Sequence, residues 1–169
     1  MSKQSGGRKK TGAAASGAPG TVANNRQAGF RYELVEKYEA GIALLGSEVK
    51  SLRASDVTMK DAYASFDNGE LWLHNLHIAP YPPAAQNNHP PERPRKLLLN
   101  RIEIDRIQGK LAEKGLTMVA TRIYFKGNKA KVEVALGRGK DAGDKRQGIK
   151  EREMKRDMDR ARGDFLRGR

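Results

Sequence analysis

From Phe30 to Tyr38 apolar and polar side chains alternate, with Phe30, Tyr32, Leu34 and Tyr38 set against Arg31, Glu33 and Lys37. That is the period of a strand with one buried face, blurred only at Val35 and Glu36. Gly41 and Gly46 bracket the apolar run Ile42 to Leu45, and glycine within strand-like sequence marks a bend, a bulge or close approach by another backbone. Tyr38 to Arg53 therefore predicts a strand, a corner, a second strand and a short helical turn. Ser47 is placed to cap that turn, Val49 and Leu52 to point inward, and Glu48, Lys50 and Arg53 to stay solvated.

Asp61 to Ile78 predicts two strands joined at Asp67-Asn68-Gly69, since Asn-Gly is the strongest short hairpin signal. Ala62, Ala64 and Phe66 share one face. On the return strand Leu71 and Leu73 face one way and Trp72, His74, Leu76 and Ile78 the other, which suits a barrel wall. His74 and His77 lie on opposite faces of such a strand, so structural roles fit them better than a shared metal ion. Pro80, Pro82, Pro83, Pro90, Pro91 and Pro94 exclude regular structure from about 79 to 95, a long loop that contains His89 and Arg93. Asn100 and Glu103 have capping-box spacing for a helix that runs to Lys114 and ends at Gly115, with Ile104, Ile107 and Leu111 as its buried stripe. A last hairpin pairs about 116–125 with 130–136 across Lys126-Gly127-Asn128-Lys129. In it Ala130, Val132, Val134 and Leu136 face inward, and Lys131 and Glu133 outward.

The ends change the picture. Residues 1–24 are rich in Gly, Ala and Ser and cannot bury enough apolar area to offset backbone ordering, so they predict a disordered basic leader with its charge at Arg8, Lys9 and Lys10. From Gly137 few apolar residues remain, although Met154, Met158, Ala161 and Phe165 form a narrow helical stripe. That stripe fits a helix docked on the protein itself, or, the reading preferred here, a segment that folds only on RNA. The division is thus a leader (1–24), one folded domain (25–136) and a basic tail (137–169). The fold class is mainly β with short helices (α+β), an oligonucleotide-binding-like closed antiparallel barrel with flanking helices and disordered basic tails.

Over 169 residues the net charge is +13, which points to a polyanionic partner. No stretch approaches a spanning helix, the N-terminus has no apolar signal core, and there is no cysteine. A cytoplasmic protein without membrane association is expected. Phosphate-binding loops, HExxH and GxSxG are absent from the sequence, so no catalytic residue, metal or cofactor is assigned. Binding of structured RNA is preferred to hydrolysis of RNA, because small barrels read RNA through shape, phosphates and unstacked bases.

YEAGIALLGSEVKSLR at 38–53, RKLLLNRIEI at 95–104, GLTMVATRIYFKG at 115–127, KVEVALGRGK at 131–140 and DKRQGIKERE at 144–153 together resemble the small protein B (SmpB) family, the tmRNA-binding partners of trans-translation. The resemblance covers about 24–160. It implies an adaptor that grips the tRNA-like domain of tmRNA and delivers it to stalled ribosomes, as a monomer. By motif it carries RNA contacts onto Glu39, Leu98 and Asn100, with Lys50, Arg53 and Lys96 as further RNA-binding candidates. It assigns Asp144, Lys145, Arg146, Ile149 and Lys150 to a tail that enters the empty mRNA channel and the decoding centre of 16S rRNA. Gly143 departs from the His or Tyr that the family often has before this block. The runner-up reading is a ribosomal-protein-like binder with one RNA partner and a dispensable tail.

Overall fold

The computed structural model describes residues 20–112 and 115–167. The basic cluster Arg8, Lys9 and Lys10, and the expected helix end at Lys114, lie outside the described residues. The fold is mostly antiparallel sheet with short helices. In chain order the elements are β1 (Thr21–Asn24), α1 (Ala28–Arg31), β2 (Tyr32–Ile42), α2 (Gly46–Arg53), β3 (Val57–Thr58), β4 (Tyr63–Asp67), β5 (Glu70–His74), β6 (His77–Ile78), a 3-10 turn (Pro82–Asn87), β7 (Arg95–Leu98), α3 (Arg101–Leu111), β8 (Leu116–Lys126), β9 (Lys129–Gly139) and α4 (Ala142–Arg167). The main sheet runs β1-β8-β4-β5-β7-β2-β9, and β9, at the far end of that order, also pairs with β8. β3 and β6 form a separate small ladder. Tyr38, Ala40, Ile42, Leu71, Leu73, Leu97, Met118, Ala120, Val132, Val134 and Leu136 point into one shared core.

β2 begins at Tyr32, and Phe30 belongs to α1 instead of the expected strand. The blur at Val35 and Glu36 is a bulge: the pairing with β9 shifts register between Leu34 and Glu36, which leaves Val35 exposed. The strand then runs unbroken through Gly41 to Ile42, and residues 43–45 lead into α2 without forming the expected second strand. Gly41 is there for close approach, since a Cβ at this position would sit 3.2 Å from Cβ of Leu98 on the neighbouring β7. α2 is a full helix whose N-cap position is Leu45, so Ser47 lies inside it. Glu48 Oε2 accepts the Leu45 N–H at 2.7 Å, and Glu48 is fully buried, not solvated as its sequence position suggested.

The β4–β5 hairpin turns at Asn68 (φ 50°) and Gly69 (φ 74°), the two positive-φ positions of a type I′ turn. Beyond His74 the alternation fails. Asn75 takes φ 56°, which rotates the chain so that Leu76 and Ile78 are buried with Leu71 and Leu73 instead of facing away. The proline-rich segment is irregular except for its 3-10 turn. It leads into β7, a strand to which no element was assigned from the sequence. α3 is capped as expected, with Glu103 Oε2 accepting the Asn100 N–H at 3.1 Å. Its inward stripe centres on the fully buried Ile107, and Leu111 packs beside it.

β9 continues past Leu136 to Gly139, where Tyr32 pairs with Gly139 and Leu116 with Arg138. The folded part therefore extends beyond the expected boundary at 136. After it the chain is helical over Ala142–Arg167. Met154 and Met158 stay exposed, so the part of the stripe they form is not docked on the sheet. The helix is tied to the rest at its root. Lys140 N–H donates to Arg31 O at 2.9 Å and Lys140 Nζ to Gly29 O at 3.1 Å, while the Arg152 guanidinium lies 5.4 Å from the Phe30 ring centre.

Candidate nucleic-acid interface

Along β2 the residues Tyr38, Ala40 and Ile42 are buried, so Glu39 and Gly41 face outward by the two-residue period. Register then decides their neighbours. Glu39 pairs with Glu133 and Gly41 with Lys131 on β9, Tyr124 of β8 pairs with Lys131, and on the other side Leu98 of β7 pairs with Gly41. Four strands thus present Leu98, Glu39, Lys131 and Tyr124 on one outer face. Leu98 is 52% exposed, an apolar side chain held at the surface by the strand pattern and by the space that Gly41 leaves.

Glu39 is not bare. The Tyr124 hydroxyl donates a short hydrogen bond to Oε2, and Lys126 Nζ and Lys131 Nζ lie 3.3 Å and 3.5 Å from Oε1. The Tyr124 bond first, and then the lysines, outweigh partial desolvation and hold the carboxyl below its ordinary pKa. Burial and the Glu39 carboxylate push the Tyr124 phenol up to about 12. The Arg122 guanidinium stacks 5.2 Å from the Tyr124 ring centre. Tyr124, Lys126, Lys131 and Arg122 were missed as candidate site residues. Alternation already placed Lys131 outward, but the β2–β9–β8 register was needed to set it beside Glu39.

Asn100 is exposed at the start of α3, two residues beyond Leu98. Lys96, on the same outward period of β7 as Leu98, pairs with Glu70 of β5. Lys50 Nζ sits 5.2 Å from the Tyr81 ring centre and the Arg53 guanidinium 5.7 Å from that of Phe125. Lys50 and Arg53 are themselves exposed, and at exposed sites cation–π attraction is modest. Glu39, Leu98 and Asn100 thus fall on adjoining elements.

Beneath this surface lies a buried ion cluster. Glu48 receives Arg95 Nε at 2.8 Å on Oε1 and Arg93 Nη2 at 2.6 Å on Oε2, and both Glu48 and Arg95 are fully buried. Burial alone would raise the Glu48 pKa, but Arg93, the Leu45 N–H and Arg95 together hold it below the usual carboxylate range. The proline-rich segment is pinned beside it. His89 Nε2 is 3.1 Å from Ile78 O and Nδ1 is 2.9 Å from Ser47 Oγ, and the geometry fits donation by Nε2 to the carbonyl and by the serine hydroxyl to Nδ1. His74 contacts Ser65 Oγ at 2.9 Å and stacks on Tyr63. Among the described residues no group of three or more His, Asp or Glu side chains is arranged to hold a metal ion.

Of the tail candidates, Arg146, Ile149 and Lys150 are exposed on α4. Asp144 and Lys145 lie within the helix, and their side chains are outside the described set. Gly143 is in its first turn. No helix among the described residues is long and apolar enough to cross a membrane.

Residues 22–164 match the sequence model of a family described as SmpB protein. The SsrA-binding protein of Carboxydothermus hydrogenoformans is 51% identical over 140 residues, covering 83% of this chain and 94% of that protein. That of Sulfurihydrogenibium sp. is 52% identical over 140 residues, covering 83% and 92%. A chain of the solved structure described as "tmRNA-SmpB: a journey to the center of the bacterial ribosome" is 51% identical and superposes with a TM-score of 0.61, covering 71% of this chain and 85% of that one.

Proposed function

This chain belongs to the SmpB protein family, and we propose that it is a tmRNA-binding adaptor of trans-translation, which delivers tmRNA to stalled ribosomes. The observation that carries the reading is the family match across nearly all the described residues, with relatives that bear the SsrA-binding name aligned over more than nine-tenths of their length. The outer face fits the role. Glu39, Leu98 and Asn100 would grip the tRNA-like domain, and Lys50, Arg53 and Lys96 would meet its phosphates. The β8–β9 and β4–β8 pairings support reading the sheet as a closed, oligonucleotide-binding-like barrel with flanking helices. α4, with Asp144, Lys145, Arg146, Ile149 and Lys150, would enter the mRNA channel and decoding centre. We further infer a cytoplasmic monomer that binds RNA and catalyses nothing. Pull-down of the protein from bacterial lysate with sequencing of the bound RNA tests the whole: one dominant tmRNA species is expected, and a spread of rRNA fragments would favour the single-partner RNA binder instead.

Two substitutions separate recognition from folding. Glu39→Gln keeps the shape but weakens the charge that gathers Tyr124, Lys126 and Lys131, so it is expected to weaken tmRNA binding more than binding of unrelated RNA. Equal losses for both RNAs would reduce Glu39 to a generic surface group. Asn100→Ala should cost about 1–3 kcal/mol of tmRNA binding if the amide bonds to RNA. As a helix cap alone it would show instead as about 1 kcal/mol of thermal stability. Melting and binding measured on one protein decide between them.

A further inference from the structure

Nine residues from Gly41 back along β2, about 30 Å at strand rise, Tyr32 lines a cleft of about 210 Å³ between α1, the Lys60-Asp61 segment and β4. Its chemistry is mixed and incompletely used. Gln27 lines the cleft, and its Oε1, shielded from solvent, has no hydrogen-bond partner among the described residues, an acceptor left unmet by the fold. Asn25 beside it is already spent: Oδ1 accepts the N–H groups of Gln27 and Ala28 at 3.1 Å and 3.2 Å, and Nδ2 donates to Ala120 O at 3.0 Å. Arg31 bridges to Asp61 at 2.7 Å. Lys60, also lining the cleft, is exposed and has no ion pair among the described residues. Tyr63, 40% exposed, brings an aromatic ring already stacked on His74 with centres 5.2 Å apart.

We propose that this cleft is a second RNA contact that receives a single unpaired nucleobase, which lies against Tyr63, hydrogen-bonds through its edge to the Gln27 side-chain amide as that amide turns outward from its shielded position, and is followed by a phosphate at Lys60. This rests on the RNA-adaptor reading above and extends it to the end of the sheet away from Leu98. The volume is below the ~300–1,000 Å³ of pockets that enclose whole drug-sized ligands, so it suits one base and not a folded stem. A side-chain amide offers a donor and an acceptor side by side, which is what the edge of a base presents in return. The cleft also adjoins the root of α4, because Lys140 bonds to Arg31 and Gly29. A base seated in it would fix the direction in which the tail leaves. The base can come from the tRNA-like domain or from ribosomal RNA, and the two are distinguished by experiment.

The test is equilibrium binding of the full chain to the transcribed tRNA-like domain and, separately, to purified small ribosomal subunits, for wild type, Gln27→Met, Tyr63→Leu and Tyr63→Phe, each checked by thermal melting. Gln27→Met should weaken one of the two complexes about 3- to 10-fold. Tyr63→Leu should weaken the same one about 5- to 100-fold, as removal of base stacking does. Tyr63→Phe, which keeps the stacking ring, should bind as wild type. The RNA that responds identifies the source of the base. Should Tyr63→Leu melt early, Gln27→Met still decides. Unchanged affinity of Gln27→Met for both RNAs, with wild type binding well, overturns the cleft alone. Failure of wild type to bind either overturns the adaptor function, and the cleft with it.

Discussion

Glu48→Ala is expected to lose about 3–5 kcal/mol of folding stability, because it leaves Arg95, fully buried beside it, without its counter-charge. Against the ~5–15 kcal/mol that holds a typical domain together, that is enough to populate the unfolded chain near body temperature. The cost arises from stranding a charge and not from the net worth of the pair. A double variant, Glu48→Leu with Arg95→Met, should therefore recover part of the loss. Recovery will be incomplete, since Arg95 also donates to Leu76 O, Pro91 O and Arg93 O, and these bonds would be lost, although Pro91 O keeps the Ile78 N–H. Urea melts of the single and double variants measure this, and a loss below about 1 kcal/mol for Glu48→Ala would show that Arg95 finds solvent or other acceptors. The pH dependence has a definite sign. The folded pKa of Glu48 is depressed, so its contribution is complete above the unfolded value of about 4.3 and is lost as pH falls through the lower folded value. Wild type should lose stability below about pH 4 by more than Glu48→Gln does. RNA binding should fall with the fold, because the cluster joins α2, which carries Lys50 and Arg53, to β7, which carries Lys96 and Leu98.

The second large effect concerns the tail. Ending the chain at Lys140 removes α4 but keeps the β9 residues paired to β2 and the Lys140 hydrogen bond to Arg31. It is therefore a cleaner cut than one at Leu136, which would strip Arg138 and Gly139 from the sheet. The truncated protein should bind tmRNA near normally, with a salt dependence shallower by about 0.7–0.9 for each phosphate that the tail's cations no longer neutralise. It should fail to support peptide tagging in a stalled translation extract. Replacing Asp144, Lys145 and Arg146 with Ala keeps length and nearly all the charge, and should show the same division. Normal tagging by both would remove the rescue role from the tail and leave a single-partner RNA binder.

Much of the sheet was legible because alternation and turn chemistry act locally. The Asn68-Gly69 hairpin, the Val132-Val134-Leu136 face and the Asn100-Glu103 cap needed no partner to be read. The misreadings have two causes, a distant partner in one case and a local turn of the backbone in the other. Glu48 looks solvated on any helical wheel, and only the arrival of Arg93 and Arg95 from 45 and 47 residues away makes its burial tolerable. Asn75, a residue type that tolerates positive φ, turns Leu76 and Ile78 inward through a local break that strict alternation does not allow for. At the candidate interface the family motif supplied Glu39, Leu98 and Asn100, whereas Tyr124, Lys126 and Lys131 emerged from strand register.

The sheet is joined unevenly. β8 and β9 pair along almost their whole length, and β9 with β2 nearly so, yet β2 meets β7 only from Gly41 to Ala43, and β8 meets β4 only from Ala62 to Ala64. The molecule is thus two firm plates, β1-β8-β9-β2 and β4-β5-β7, stitched along two short seams. Glu39 and Leu98 stand on either side of one seam, and the Gln27–Tyr63 cleft lies across the other. A ligand that spans either place acts as a clasp, adding contacts at the two shortest ladders of the main sheet.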